Sequence, residues 1–453
     1  MDDALRGALT GLAENPAAPP DVLLRLAAEP LAASRMAWRE ALPEEVVERL
    51  LATGGVRVAL GLDSRSRSEL TRQRIAAHPE AGVRGARRTF VEDSIRHGVR
   101  VGVESLAWYA GAGGLLGLAR HEDPVLRAAV ARSWEGMPEG VRRELLVDSD
   151  PRVRQLAAGY PHPPVPEDLR SLLLADPATR REVAAYAVLT PEAVREGLAG
   201  DEDLRGSMAI NPTLPAAARG RLEADPSPYV RAKVLLRQDL SEDRRRLGYA
   251  ALAEAGTEEF DDVWIALTGL EFERPSWLAD LPLADRVGYL DSPIPCFRRT
   301  AASSPDLPPE VLRRLDEHPD VEVRRIVARR PDCPGEVLER LVIEHGEHAK
   351  TRPLLIEHPN FPPSAFARLA TATAPDRRAL AAHGAELPGV TLAALARDPE
   401  AHVRAAAARN PRTPVAALVA LLADEPAAAQ AAGANPGLPV ADMCAVLDRA
   451  GLQ

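Results

Sequence analysis

The chain has 453 residues, 46% of them hydrophobic and 27% charged, with a formal net charge of −10. Those proportions exclude a disordered chain, and the negative charge argues against a protein coated in nucleic acid. No apolar run approaches the ~20 residues that cross a bilayer, and the N-terminal stretch, acidic and broken by Pro16, is not expected to be a secretory signal.

Aromatic residues make up only 4% of the chain, so its core must be filled by Leu, Val and Ala at close helix–helix approach. Of the 56 basic residues only Lys233 and Lys350 are lysine. GC-rich coding accounts for that bias, which weakens any claim that arginine was selected for phosphate recognition. The three cysteines, Cys296, Cys333 and Cys444, show no CxxC spacing. A disulfide framework, a Cys-based metal site and an iron–sulfur cofactor are therefore not expected, and a cytoplasmic, reducing location is.

In chain order, residues 1–120 carry fragments of a pattern, among them "NPAAPPDVLLRLA" and "RQRIAAHPEAGVRGA". Within 65–100 nine arginines face four acids. This basic stretch is a solvated helical face or a docking patch for an acidic partner or a phosphate backbone, with Arg84, Arg87 and Arg88 as its candidate contacts. The Gly-rich "YAGAGGLLGLA" that follows lacks both GxGxxG and a GKS/GKT ending, so close packing or a hinge is expected rather than a phosphate loop.

Residues 121–240 and 298–453 read as regular repeats of roughly 24–28 residues, D-P-x(2–4)-[VL]-R-x-x-x-A-x-[NHYR]-P-x-x-[PL]-x-x-x-L-x-x-L. The anchoring arginines are Arg127, Arg154, Arg205, Arg231, Arg298, Arg324, Arg352, Arg377 and Arg404, with a weaker copy at Arg180 and Arg181. Six residues later most copies place a residue before proline: Tyr160, Asn211, Ser304, Arg330, His358 and Asn410. Asp-Pro is expected to start a first helix, the pre-proline residue to end it, and a later proline to start a second. Helices this short are marginal alone, whereas stacked copies share one continuous core. Arg127, Arg154, Arg205, Arg231, Arg324 and Arg404 are expected to form a structural ladder at the inter-repeat seam, each bonding the capping Asp or a carbonyl of an adjacent repeat. A row of guanidinium groups along a binding groove is the competing reading.

Between them, residues 241–297 lose the signature. Seven of the 17 aromatics gather here, within an acidic stretch. Divergent repeats with a wider core would explain them. So would a protein-binding hot spot, for which Phe260, Trp264, Phe272 and Trp277 are the candidates.

The units "DPEAHVRAAAARNPRTPVAALVALLADEP" and "HPDVEVRRIVARRPDCPGEVLERL" resemble leucine-rich repeat variant repeats, and "NPAAPPDVLLRLAAEP" resembles half of one. The resemblance implies an all-α, right-handed α-solenoid of short helix pairs, α/α or α/3-10, related to HEAT repeats. It carries a fold and no reaction. Some members of that family hold an N-terminal iron–sulfur cluster, but no cysteine precedes Cys296 here.

No catalytic motif is found. His345 and His348 stand three apart beside Glu344 and Glu347, without a third ligand, so no metal is expected. The leading expectation is a non-catalytic scaffold that presents a solenoid surface to a protein partner. The alternative is nucleic-acid binding or base repair through the basic N-terminal region, by analogy with HEAT-like glycosylases.

Overall fold

The computed structural model describes residues 2–64, 69–159, 162–256, 258–347 and 353–453. Among them only α- and 3-10 helices form, and no strand. The helices come as short pairs. Pro124–Ser133 is followed by Glu139–Leu146, Glu202–Ala209 by Ala216–Glu223, and Ala401–Arg409 by Val415–Leu421. In the last pair Val403, Ala407, Leu418 and Leu421 are buried, and each fully buried Val or Leu contributes about 1.5–3 kcal/mol. The chain divides into two compact units, a central one of Val91–Val327 and one made of Met1–Phe90 with Ala328–Gln453. These units cut across the 1–120 and 298–453 segments delimited from repeat regularity.

Two kinds of rung tie successive pairs together. In the first, an arginine reaches an aspartate of the next repeat. Arg127 grips Asp148 through Nε and a terminal nitrogen at 2.7 Å each, Arg205 grips Asp225 at 2.7 and 3.1 Å, and Arg404 grips Asp424 at 2.9 and 2.7 Å. Arg154 meets Asp176, and Arg298 meets Asp320, each through Nε. The same guanidinium donates its other arm to carbonyls five and six residues upstream, as Arg404 does to Pro399 and Asp398. The aspartate in turn accepts a downstream backbone N–H, as Asp398 does from Glu400 two residues on and Asp424 does from Glu425.

Two details differ from the sequence expectation. The rung of the "APDRRAL" repeat is Arg378, bonded to Asp398, and not Arg377. Asp398-Pro399 does not start its helix either: Glu400 is the N-cap, and Asp398 lies upstream as the acceptor of Arg378. Asp-Pro thus has two roles. Asp123 and Asp150 cap helices with proline at the first helical position, whereas Asp398 and Asp225 complete arginine rungs.

The second rung is the residue before proline. Asn211 donates Nδ2 to the carbonyls of Ala184 and Ala187 at 2.7 and 2.8 Å, and Asn410 to those of Ala382 and Gly384 at 2.8 and 3.0 Å. Histidine does the same work: His358 Nε2 reaches the Arg330 carbonyl at 2.8 Å, and His162 Nε2 that of Ala131 at 2.6 Å. Burial pushes the His162 imidazole below its ordinary pKa, which suits a neutral donor. In that repeat the rung is His162. Tyr160 and Arg352, anchors in the sequence reading, lie outside the described residues.

In the unit made of the two chain ends, the Asp3–Glu14 helix packs on the Pro426–Ala434 helix. Glycines allow that approach. A Cβ on Gly11 would fall 2.0 Å from the Gln430 carbonyl oxygen, and one on Gly433 would fall 2.5 Å from that of Ala8. The asparagine rungs run through this junction. Asn435 donates to Ala408 and Asn410, and Asn15 donates to Gly433 and Asn435 at 2.8 and 2.7 Å. The first repeat therefore stacks as the one after the last.

Candidate interaction surface

The aromatic stretch is built on the Glu242–Ala255 helix, capped by Ser241, and the Asp262–Phe272 helix, capped by Asp261. A 3-10 turn, Ser276–Leu278, then leads to the Leu283–Gly288 and Pro295–Ala302 helices. Its rings divide into an inner and an outer set.

The inner set surrounds Arg245, which is fully buried. Its guanidinium lies 4.5 Å from the Phe297 ring centre and 5.5 Å from that of Trp277. It donates to the carbonyls of Leu235, Arg237 and Leu240, and Nε meets Glu242 at 3.0 Å. Desolvating this cation is tolerable because three carbonyls, a carboxylate and ring faces replace its water. Trp277 belongs to this core: its Nε1–H donates to the Leu236 carbonyl at 3.0 Å, and its ring packs on Tyr289 and Phe297. Trp277 therefore does not join the outer surface expected of it, because its indole N–H and ring are engaged in the core. The sequence carries no signal for Arg245: "EDRRRLGYAAL" holds three adjacent arginines, and nothing in the pattern says which of them faces inward.

The outer set is Phe260, Ile265 and Phe272, 68%, 56% and 77% exposed. Ile265 and Phe272 are seven apart on one helix and share its face. Trp264 is half-buried, with its ring 4.7 Å from that of Phe260. Phe260 has φ 71°, and no other non-glycine residue among those described has positive φ. That conformation costs about 1–3 kcal/mol in a bulky residue. It places Phe260 just before the Asp261 cap, where its ring meets Trp264. Exposed Glu258, Glu259 and Asp262 flank the helix start. At the other end, Glu271 and Glu273 pair with Arg299 and Lys233. The outer face is thus apolar with an acidic border at one end.

The basic stretch is largely engaged. Arg84 donates to the carbonyls of His78 and Pro79, the upstream clip of a ladder arginine, so its guanidinium is turned onto its own turn. Arg87 lies 3.7 Å from Asp63, Arg74 pairs with Glu44 and Glu48, and Arg100 with Glu135. Arg88 is exposed, and Arg65 and Arg67 lie outside the described residues. Acids from outside the 65–100 window thus offset the local excess. The ladder arginines are occupied likewise, except that Arg231 has its two carbonyl bonds, to Asp225 and Pro226, and no ion pair among the described residues. Arg324 holds the equivalent place in the Val321–Ala328 helix.

The described residues hold no group of three or more His, Cys, Asp or Glu that could bind a metal. His345 stands 3.5 Å from Glu344, and His348 lies outside the described residues. Burial pushes the Cys296 thiol up to about 12, which makes it inert at neutral pH. No described helix is long and apolar enough to cross a membrane.

Residues 321–342 and 401–426 match the sequence model of the leucine-rich repeat variant family. Those segments contain the ladder arginines Arg324 and Arg404 with their flanking helices. No curated protein matches the chain. Among solved structures, an engineered protein aligns over 98% of this chain and 99% of its own, at 14% identity and a TM-score of 0.14, too low to support an argument.

Proposed function

We propose that this protein is a non-catalytic interaction scaffold whose partner-binding surface is the outer face of the Asp262–Phe272 helix with Phe260. The observation that carries it is the exposure of Phe260, Ile265 and Phe272 together in a chain that is otherwise poor in rings. Large apolar side chains gathered on one exposed face mark protein–protein contacts, and aromatic anchors dominate their energetics. The acidic border of Glu258, Glu259 and Asp262 favours a partner with lysines or arginines beside its apolar anchor. The repeats around it supply rigidity rather than chemistry.

The test is purification from native cells, with and without nuclease, alongside an Ile265→Ser/Phe272→Ser double variant. A protein partner should persist through nuclease and be lost by the double variant, whose melting temperature should stay close to the parent's. Recovery of nuclease-sensitive material alone, or a partner retained by the folded double variant, would refute the reading.

A further inference from the structure

Arg231 is the place where the ladder loses its aspartate. Three rungs, Arg205–Asp225, Arg378–Asp398 and Arg404–Asp424, span twenty residues. Twenty residues after Arg231 stands Ala251, inside the long Glu242–Ala255 helix. Both residues line one cavity of about 260 Å³, together with Val234, Leu235, Leu240, Arg244 and Leu247. The guanidinium keeps its upstream clip, to the Asp225 carbonyl at 2.6 Å and the Pro226 carbonyl at 3.0 Å. Its remaining donors have no carboxylate among the described residues. Glu223, also in the wall, is turned to Arg244.

The rest of the cavity is aliphatic, and its rim includes Leu247, 71% exposed. Gly248 on the same wall carries no Cβ, and one placed there would come 2.9 Å from a Leu235 methyl. In these three rungs the aspartate is preceded three residues earlier by a buried leucine: Leu222 before Asp225, Leu395 before Asp398, Leu421 before Asp424. The repeat thus shows what chemistry this vacancy accepts.

We infer that the cavity between Arg231 and Leu247 is a docking site for an acidic peptide, which places an aspartate carboxylate on Arg231 and an aliphatic side chain against Leu235, Leu240 and Leu247. The carboxylate completes the rung in trans, with the two-point geometry that a guanidinium offers and an ammonium does not. The site is separate from the Phe260–Phe272 face and stands without it.

The test uses the full chain with 13C-labelled leucine methyls and the capped peptide Leu-Glu-Ala-Asp-Pro-Ser-Pro, which copies 222–228. Titration should shift the methyls of Leu235, Leu240 and Leu247 saturably. Replacing the peptide's aspartate by asparagine should weaken binding at least ten-fold, as should Arg231→Gln. Ala251→Asp, which refills the rung from within, should abolish binding and raise the melting temperature. Leu247→Glu, at an exposed position, should abolish binding without unfolding, which keeps the test valid if Arg231→Gln destabilises the chain. Absence of saturable shifts, equal binding of the asparagine peptide, or unchanged binding by Ala251→Asp overturns the inference. So does acetate binding as tightly as the peptide, since the site would then be a simple anion sink.

Discussion

At the residue scale, the recurrent arginine is a clip with two jaws, one on its own upstream turn and one on the next repeat. Arg154, Arg378 and Arg404 hold Asp176, Asp398 and Asp424 below the ordinary carboxylate range through direct hydrogen bonds, against the opposing effect of burial. The sign follows. A carboxylate whose folded pKa is lowered adds stability above its unfolded pKa, near 3.9, and loses it as pH falls through the folded value. Asp424→Asn should therefore cost about 2 kcal/mol at pH 7, the range of one partly screened charge-assisted pair. Denaturant unfolding should show the gap between variant and parent closing below pH ~4, and a gap that persists there would mean that charge is not the cause. The arginine was legible in the sequence because it recurs beside Val and Ala, and the Asp of the Asp-Pro pair in an adjacent repeat was among its expected acceptors. What the pattern did not show is that Asp398 serves an arginine twenty positions upstream instead of capping its own helix. The same ambiguity hid Arg378 behind Arg377: adjacent arginines are equivalent in a pattern and differ only in which way the helix turns them.

At the element scale, the Asp262–Phe272 helix is legible as an interruption and illegible as a surface. Seven aromatics in 241–297 announce a departure from the repeat, yet composition does not sort rings into inner and outer sets. Trp277 is drawn inward because the buried Arg245 and the Leu236 carbonyl each engage it. Phe272, at the last turn of a helix whose other face is already packed, is left outside. Phe260 is held where it is by its neighbours rather than by its own preference. Replacing it with glycine removes a strained φ worth about 1–3 kcal/mol and a ring pair worth about 0.5–1.5 kcal/mol. Phe260→Gly should thus leave the melting temperature equal or raised while weakening partner capture. A clear loss of stability in calorimetry would show that the ring anchors the helix start instead of serving a partner.

At the scale of the whole chain, one rung pattern serves residues far apart in sequence as readily as neighbours. Asn410, Asn435 and Asn15 carry the same bifurcated amide from repeat to repeat, although Asn15 lies 420 residues from Asn435. The half-repeat "NPAAPP" contains that asparagine, so the sequence displays the part. Local pattern could not show which repeat it would follow. Among the described residues, neighbouring repeats are otherwise joined by the chain itself, whereas the junction between the first and last repeats rests on the packing of Asp3–Glu14 on Pro426–Ala434, on hydrogen bonds and on the Arg25–Asp448 ion pair. Its tolerance for bulk is correspondingly small. The nearest obstacle to a Cβ on Gly11 is backbone, the Gln430 carbonyl at 2.0 Å, which no rotamer change can clear. Gly11→Val should therefore destabilise by about 3 kcal/mol, the upper part of the usual overpacking range. Gly113→Val, where a Cβ would meet nothing within 4 Å, should cost far less. Hydrogen exchange locates the effect. Protection lost at Pro426–Ala434 in Gly11→Val, and kept there in Gly113→Val, would establish that the N-terminal helix supports the last repeats. Equal protection in both variants would show that those repeats stand without it.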